Sequence, residues 1–224
     1  MLTPIGPDQI EQAATRIRGR VRTTPVVEIE AGALGPAPVV LKLELLQHTG
    51  SFKPRGMFNR LLSTDVPEAG VLVASGGNAG LAVAFAARAL GYAATVFVPV
   101  AAPPVKVARL QEYGAEVRQV GASYEEALAA SQVCAQEAGA LVVHAYDQPE
   151  VVAGQGTLAR ELEEQVDRID TVLVAVGGGG LIAGIAGWFA GRARVVAVEP
   201  TACPTCATAL AAGGDRHREP GIAA

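Results

Sequence analysis

The hydrophobic positions of this chain fall in short runs, separated by glycine turns and by stretches with helical spacing. From Val71 onward, apolar runs of four or five residues alternate with segments long enough for a single helix. These runs predict strands over 71–74, 94–98, 116–120 and 141–144. Single helices between consecutive strands are typical of a parallel sheet with both faces covered.

A second, less complete unit of the same kind follows. The pattern predicts, in order, a helix over 149–166, a strand over 171–176, a helix over 181–190 and a strand over 195–198. Before the first unit, Ile10, Ala14 and Ile17 have the spacing of an amphipathic helix. Lys42 alternates with leucines, which predicts a strand residue on the solvent face.

Composition and charge exclude several classes of protein. Half of the 224 residues are hydrophobic and 18% are charged, which is not the composition of a disordered chain or a coiled coil. The net charge of −4 and the few aromatic residues argue against nucleic acid and anionic membranes as partners. Two uncharged runs, 69–87 and 171–191, have the length of a membrane span, but each contains a glycine turn. We therefore expect a soluble protein.

The cysteines and lysines narrow the chemistry. Three cysteines, with no second Cys-x-x-Cys and no nearby histidine pair, predict structural thiols in a reducing compartment and no metal site. The N-terminus lacks a signal peptide, so we expect the cytoplasm. Only three of the 18 basic residues are lysine. A base-composition bias explains the excess of arginine, but a lysine required by chemistry would persist, which makes each one a candidate: Lys42, Lys53 and Lys106.

The clearest candidate site is the run of four glycines at 177–180. A strand, a glycine turn and a helix together direct unpaired backbone N–H groups at one point, which favours phosphate over a plain tight crossover. Gly178, Gly180 and Ala183 also fit the dinucleotide fingerprint, and Glu199 follows 21 residues after Gly178. This reading predicts NAD and stays open, although a lone fingerprint is weak evidence.

Two further segments could bind or react with a small molecule. Lys53 precedes Pro54, which predicts an extended Lys53, a helix beginning at Pro54 and a cap from Ser51. A lysine there can point into a cleft and form a Schiff base, although a solvated surface lysine is the usual case. The turn at 75–80 can hold a carboxylate or can be an ordinary strand-to-helix connection.

Taken together, these segments resemble the fold-type II pyridoxal-phosphate enzymes. Residues 51–56 (Ser-Phe-Lys-Pro-Arg-Gly), 75–80 (Ser-Gly-Gly-Asn-Ala-Gly) and 177–180 occur in the order and spacing of that family. The chain is most similar to the serine/threonine dehydratase and serine racemase group. Residues 154–157 (Gly-Gln-Gly-Thr) and 198–200 (Val-Glu-Pro) also match that group.

The resemblance runs from about residue 5 to residue 210 and implies a fold. The expected fold class is α/β, with two doubly wound units of tryptophan synthase β-like architecture and an incomplete C-terminus. Residues 1–69 with 145–224 would form a larger cofactor-binding domain, and residues 70–144 a smaller one. A homodimer is expected when the chain is complete.

The resemblance also implies a role for each site residue. Lys53 would carry pyridoxal 5'-phosphate covalently and act as the catalytic base, and Phe52 would lie against the pyridine ring. Asn78 would hydrogen-bond the phenolic oxygen of the cofactor. The phosphate would be held by Gly177, Gly178, Gly179 and Gly180. The substrate carboxylate would be bound by Ser75, Gly76, Asn78 and Ala79.

The implied reaction is elimination of water from L-serine or L-threonine, giving the 2-oxo acid and ammonia. Gly76 stands where racemases of the group have a second, serine base, which favours dehydration. Thr205 stands where metal-binding members have an aspartate, so Glu199 is expected to bind no cation. Serine racemase or another fold-type II activity, a nicotinamide oxidoreductase and an inactive fragment remain alternatives.

The remaining polar residues are expected to have structural or solvent-exposed positions and no role in the chemistry. The histidines are isolated in sequence and are expected to be satisfied polar side chains: His48, His144 and His217. Three glutamates on one predicted helix are expected to form its solvated face: Glu161, Glu163 and Glu164.

Overall fold

The computed structural model describes residues 5–212, and most elements lie within one or two residues of the bounds that the sequence predicts. The helices are α1 (Pro7–Ile17), α2 (Lys53–Leu62), α3 (Asn78–Leu90), α4 (Pro104–Glu112), α5 (Tyr124–Ala138), α6 (Pro149–Gln165), α7 (Gly180–Phe189) and α8 (Thr205–Ala211). The strands are β1 (Val26–Ile29), β2 (Val39–Lys42), β3 (Val71–Ala74), β4 (Ala94–Val98), β5 (Glu116–Gln119), β6 (Leu141–Val142), β7 (Thr171–Ala175) and β8 (Arg194–Val198). His217 lies outside the described residues.

The largest sheet is parallel and has the strand order β5-β4-β3-β6. The chain moves outward from β3 to β5 and then returns, so that β6 pairs with the other side of β3. The connections after the neighbouring strands β3 and β6 therefore diverge, and in such sheets ligands bind in the crevice between diverging connections, at the carboxyl ends of the strands. This topology places the candidate site after Ala74 and Val142.

Local signals explain the ends of the helices in this unit. The Ser123 hydroxyl accepts a hydrogen bond from the backbone N–H of Glu126 and so caps the start of α5. Gly91 ends α3 with a φ of 80°, a left-handed conformation that costs glycine nothing. These caps fix α3 and α5 beside the strands that they connect.

Two of the three hydrophobic cores meet at α2, and the third lies between the four-stranded sheet and α5. The first surrounds α3 and the four-stranded sheet, and α2 contributes Met57, Phe58 and Leu61 to it, each at most 1% exposed. The second joins α1, α6, α7 and β7 and includes Ile10, Ile185 and Phe189. Because α2 packs against both α3 and α6, its first turn lies where the two cores meet.

The glycines of the 154–157 motif let helices approach α6 from two sides. A Cβ at Gly154 would lie 2.5 Å from the carbonyl oxygen of Arg55 on α2. One at Gly184 on α7 would lie 2.5 Å from the carbonyl oxygen of Val152 and 2.6 Å from the backbone nitrogen of Gly156. Side chains at these positions would force both neighbouring helices away.

The pair formed by β7 and β8 is parallel and is covered on one face. Val172 and Val174 point into the second core, whereas Leu173 is 67% exposed and Val198 is 49% exposed. Parallel strands are ordinarily buried on both faces, so this apolar surface is unusual. None of the described helices is long and apolar enough to cross a membrane.

Several local expectations are wrong. The buried face of α1 uses Ala13 rather than Ala14, and α2 begins at Lys53 rather than at Pro54. Ser51 does not cap α2; its hydroxyl is buried and has no hydrogen-bond partner within the described chain.

Lys42 and Glu161 were expected on solvent faces, and both expectations are also wrong. Their side chains are 8% and 13% exposed and form an ion pair. Periodicity could not reveal this pair because the partners lie on different elements, 119 residues apart. Glu163 accepts a hydrogen bond from Trp188 Nε1 on α7, and Glu164, 59% exposed, keeps the expected solvent position.

Candidate active site

The candidate active site is organised by a two-residue segment after β6 that touches both features singled out in the sequence. Lys53 Nζ donates a hydrogen bond of 2.7 Å to the carbonyl oxygen of Ala145. The next residue, Tyr146, packs against the glycine turn. A Cβ at Gly178 would lie 2.3 Å from the Tyr146 ring, and one at Gly180 would lie 2.7 Å from its carbonyl oxygen. The primary amine and the predicted anion site are therefore brought together.

The environment of Lys53 makes its amine easier to deprotonate than a lysine in water. Burial lowers the pKa of Lys53 from 10.5 to about 8, because the charged form is penalised when it leaves water. The amine meets a neutral carbonyl, and its distance to the centre of the Phe52 ring is 5.2 Å. An amine that gives up its proton more easily than a free lysine, beside an aromatic ring, can act as a nucleophile or as a general base.

This burial predicts a stability cost that depends on pH. Lys53→Met should stabilise the chain by up to about 3 kcal/mol near pH 7, because a buried charge is removed. Below about pH 8 both states of the unchanged chain bind the proton and the penalty is complete. Between about 8 and 10.5 the unfolded chain holds more protons, so the stability of the unchanged chain rises and the gain disappears. Urea unfolding of both chains across this pH range measures the difference in their free energy of unfolding. A difference that does not change with pH would contradict the prediction.

The glycine turn has the geometry of an anion site. Gly179 precedes α7 with a φ of 86°, and Gly180 is the first residue of that ten-residue helix. A Cβ at Gly177 or Gly179 would meet nothing within 4 Å, so this side of the turn is open. Backbone N–H groups at the start of a helix, next to open space, suit a phosphate.

A matched pair of alanine substitutions tests this turn. Gly178→Ala should weaken phosphate-group binding roughly tenfold or more, because the new Cβ displaces the Tyr146 ring. Gly177→Ala should change it little, because its Cβ enters open space and its φ is not in the left-handed region. The dissociation constant of pyridoxal phosphate, measured by fluorescence titration, compares the two. Equal effects would mean that contact with Tyr146 does not shape the turn.

The turn after β3 lies at the same edge of the sheet. Val143 N donates to the carbonyl oxygen of Leu72, which continues the parallel register toward Ser75 and Ala145. The Ser75 hydroxyl accepts from Gly77 N, and a Cβ at Gly80 would lie 2.0 Å from the Ser75 carbonyl oxygen. The tight turn leaves Asn78 exposed as the first residue of α3, with Ala79 buried behind it.

A buried ion network holds the helix that carries Lys53. Arg55, 1% exposed, donates to both oxygens of Glu44 at 2.7 and 2.8 Å and to both oxygens of Glu161 at 2.9 and 3.1 Å. Lys42 Nζ uses three donors, to Glu161 Oε1 at 2.5 Å, to the Thr24 carbonyl oxygen at 2.6 Å and to Gln165 Oε1 at 2.7 Å. Two cations and two carboxylates balance in charge.

The carboxylate of Glu199 is already occupied by hydrogen bonds within the chain. It accepts hydrogen bonds from the Thr205 hydroxyl at 2.8 Å and from the backbone N–H groups of Cys206 and Ala207. These bonds lower the pKa of Glu199. The Thr205 hydroxyl also lies within 3.3 Å of the Gly177 carbonyl oxygen. Glu199 therefore fastens α8 to β8 and is not placed as a ribose ligand.

The histidines of the described chain make local contacts, and His144 directly precedes Ala145, with its ring centre 4.6 Å from the centre of the Tyr146 ring. His48 stacks against Phe85, and His144 Nδ1 accepts from Asp147 N at 2.8 Å. The cysteines of the described chain form no disulfide. Within residues 5–212, no three His, Cys, Asp or Glu side chains are grouped as a metal site would require.

The fold and this site identify the family. An amine of lowered pKa beside a glycine turn at a helix N-terminus is what a cofactor with an aldehyde and a phosphate requires. The sequence profile of the family described as "Pyridoxal-phosphate dependent enzyme" matches residues 17–223. The chain belongs to this family, and the predicted fold class and cofactor are confirmed.

Individual relatives agree with this assignment. The chain is 41% identical to an L-threonine ammonia-lyase of Geobacter sulfurreducens over 91% of its own length and 52% of that protein. The structure of maize serine racemase matches with a TM-score of 0.89 at 35% identity, covering 94% of this chain and 66% of that one. The threonine deaminase of T.th. matches with a TM-score of 0.85 at 35% identity, covering 93% and 69%. The chain spans about half the length of the curated relatives that it matches.

The residues present fit the cofactor. Lys53 supplies an amine that no carboxylate holds in a salt bridge within the described residues, and the glycine turn offers open space where a phosphate needs it. Ala145 and Tyr146 were missed by the sequence reasoning. Ligand sites form where the connections after two neighbouring parallel strands run in opposite directions. This rule would have identified Ala145 and Tyr146 once β6 was placed beside β3.

Proposed function

We propose that this chain carries the active site of a pyridoxal-phosphate-dependent lyase that removes water from L-serine or L-threonine, giving the 2-oxo acid and ammonia. The observation that supports it best is the contact of the Ala145–Tyr146 segment with both Lys53 and the glycine turn. The relatives named threonine ammonia-lyase and threonine deaminase support the same reaction class.

The position of each residue in the site suggests its role in the proposed reaction. Bound at this site, pyridoxal phosphate supplies an electron sink for carbanion chemistry at the substrate α-carbon. Lys53 Nζ would hold the cofactor and would take the substrate α-proton as general base. The glycine turn, Gly177 to Gly180, binds the phosphate through backbone N–H groups. Phe52 lies beside the amine and limits its contact with water.

The turn after β3 completes the proposed site. We place the substrate carboxylate at the backbone of residues 75–79, because the first N–H groups of α3 have no acceptor within the helix and suit an anion. Asn78, exposed at that helix start, would donate its amide to the phenolic oxygen of the cofactor. Loss of keto-acid formation in Asn78→Ala, with phosphate-group affinity kept, is the expected result. Unchanged keto-acid formation would remove Asn78 from the site.

Selectivity for elimination over racemisation follows from Gly76. Glycine has no side chain that can move a proton, so only Lys53 serves the α-carbon, from one face. We expect keto acid from L-serine with negligible D-serine, measured by chiral chromatography. D-serine formed at a comparable rate would show that another group acts as the second base.

A substitution at Gly76 tests the racemase alternative directly. A Cβ there would lie 3.3 Å from Val98 Cγ1, so the serine of Gly76→Ser needs Val98 to give way by a few tenths of an ångström. The double variant Gly76→Ser with Val98→Ala provides this space, and Val98→Ala alone is its control. We expect D-serine in the double variant and none in the control.

Assembly and location belong to the same proposal. We propose a homodimer in the cytoplasm that acts on a small amino acid and does not bind nucleic acid. The net charge of −4 and the cysteines without disulfides support it. Sedimentation of the protein with its cofactor measures the assembly, and a monomer at all concentrations would contradict it.

The decisive test of the proposed function is covalent trapping. Incubation with pyridoxal phosphate, reduction with borohydride and peptide mass mapping should place the cofactor on Lys53. Label on Lys42 or Lys106 alone would overturn the proposal. An affinity for NAD that exceeds the affinity for pyridoxal phosphate would favour the nicotinamide alternative instead.

A further inference from the structure

The buried network of Arg55, Glu44, Glu161 and Lys42 is not explained by binding or by acid–base chemistry. None of these side chains reaches the Ala145 carbonyl or the glycine turn through a contact in the described structure. Buried ion networks of this kind contribute little net stability compared with well-packed apolar residues. A role in geometry accounts for it better, because such networks fix one arrangement of the elements that they join.

The network acts on the first turn of α2. Arg55 lies two residues after Lys53, and its backbone N–H donates to the Phe52 carbonyl oxygen at 3.1 Å. Its guanidinium is held by Glu44, in the 3-10 turn Glu44–Leu46, and by Glu161 on α6. Four charge-assisted bonds to two rigid carboxylates fix the position and the rotation of this turn.

Close backbone packing leaves this turn no alternative position. A Cβ at Gly56 would lie 2.8 Å from the carbonyl oxygen of Val151, and Gly154 approaches the carbonyl oxygen of Arg55 in the same way. The first turn of α2 is therefore fastened to α6 both by side-chain bonds to Glu161 and by close backbone packing. The direction in which the Lys53 side chain leaves the helix is set by this turn.

We infer that Arg55 is a positioning residue that places Lys53 Nζ against the Ala145 carbonyl by tying the first turn of α2 to Glu44 and Glu161. The inference deepens the proposed function, because it concerns the amine that holds the cofactor there. Arg55 touches neither cofactor nor substrate. Its effect passes through the backbone to Lys53.

The charged groups that face the start of α2 allow a clean test. Glu44, Glu161 and Lys42 belong to the network, whose charges cancel. On the segment after β6, the ring of His144 is bonded to the backbone of Asp147, which is exposed. Burial is the cause of the lowered pKa of Lys53. A displaced first turn would expose the amine and raise that pKa.

The test titrates the amine without the cofactor. Trace acylation of the dilute full chain at a series of pH values, read by mass spectrometry, gives the pKa of Lys53, with the exposed Lys106 as internal reference. Arg55→Lys keeps the charge but loses the two-pronged contact to Glu44, and Glu44→Gln removes one anchor while keeping its shape. Both should raise the pKa of Lys53 by about one unit or more toward 10.5.

Two controls separate positioning from loss of stability. Arg160→Lys makes the same chemical change in an exposed ion pair of α6 with Glu11 and Glu164, and Leu158→Ala weakens the second core. Both should leave the pKa of Lys53 unchanged. An unchanged pKa in folded Arg55→Lys or folded Glu44→Gln would overturn the inference, and so would an equal rise in Leu158→Ala. Because no cofactor is used, failure of the proposed function would not alter this reading.

Discussion

Lys53→Arg should abolish covalent cofactor attachment and reduce keto-acid formation by about 10²–10⁴-fold or more. A guanidinium keeps the positive charge but stays protonated, so it can neither form the covalent link nor take the α-proton. The substitution should affect folding less than it affects catalysis, because Lys53 lies at a partly buried position beside an aromatic ring.

Lys106→Arg is the matched control for this substitution. Lys106 is exposed on α4, away from the Ala145–Tyr146 segment, so its replacement should leave trapping and turnover unchanged. Borohydride trapping and keto-acid formation are measured in parallel on both variants. Keto acid produced by Lys53→Arg at the rate of the unchanged protein would remove Lys53 from the mechanism.

The 224-residue chain by itself should bind the cofactor weakly, self-associate and turn over little substrate. The reason is the exposed face of the β7–β8 pair, where Leu173 and Val198 lie in water although parallel strands are ordinarily covered. The edge strands of so small a sheet also offer unpaired backbone groups to other chains. The chain spans about half the length of the curated relatives that it matches.

Two lysine substitutions at equal exposure test the origin of this self-association. Leu173 on β7 and Leu34 in the connection between β1 and β2 are both 67% exposed. Leu173→Lys should reduce light scattering markedly, and Leu34→Lys should reduce it little, because only the first interrupts an apolar strand face. A chain that stays monodisperse and turns over L-serine at about 10 per second, an ordinary enzyme rate, would refute the prediction.

The sequence predicted the elements of the first unit well because each carries local signals. Strands Val71–Ala74 and Ala94–Val98 have the predicted bounds, since they are largely apolar runs ended by turn residues. The glycine turn and Lys53 were also identified as candidates from local chemistry. The division of the chain into two domains and the roles of the individual site residues remain predictions.

The parts that could not be predicted depend on contacts between distant segments. Lys42 was assigned to solvent because alternation reports only which face of a strand a residue occupies, and its partner Glu161 comes from a helix much later in the chain. Ala145 and Tyr146 have ordinary side chains, and their importance comes from a carbonyl group and a ring face. Ser51 was expected to cap a helix that, in three dimensions, begins at Lys53.

The geometry around Lys42 explains why a chain so rich in arginine retains a lysine there. Its three acceptors surround a single nitrogen, an arrangement that a tetrahedral ammonium satisfies and a flat guanidinium does not. Replacement of Lys42 by arginine is therefore disfavoured for a structural reason that is unrelated to catalysis. Lys53 and Lys42 thus answer two separate demands, the first for a reactive amine and the second for a compact three-way donor, whereas the exposed Lys106 answers neither.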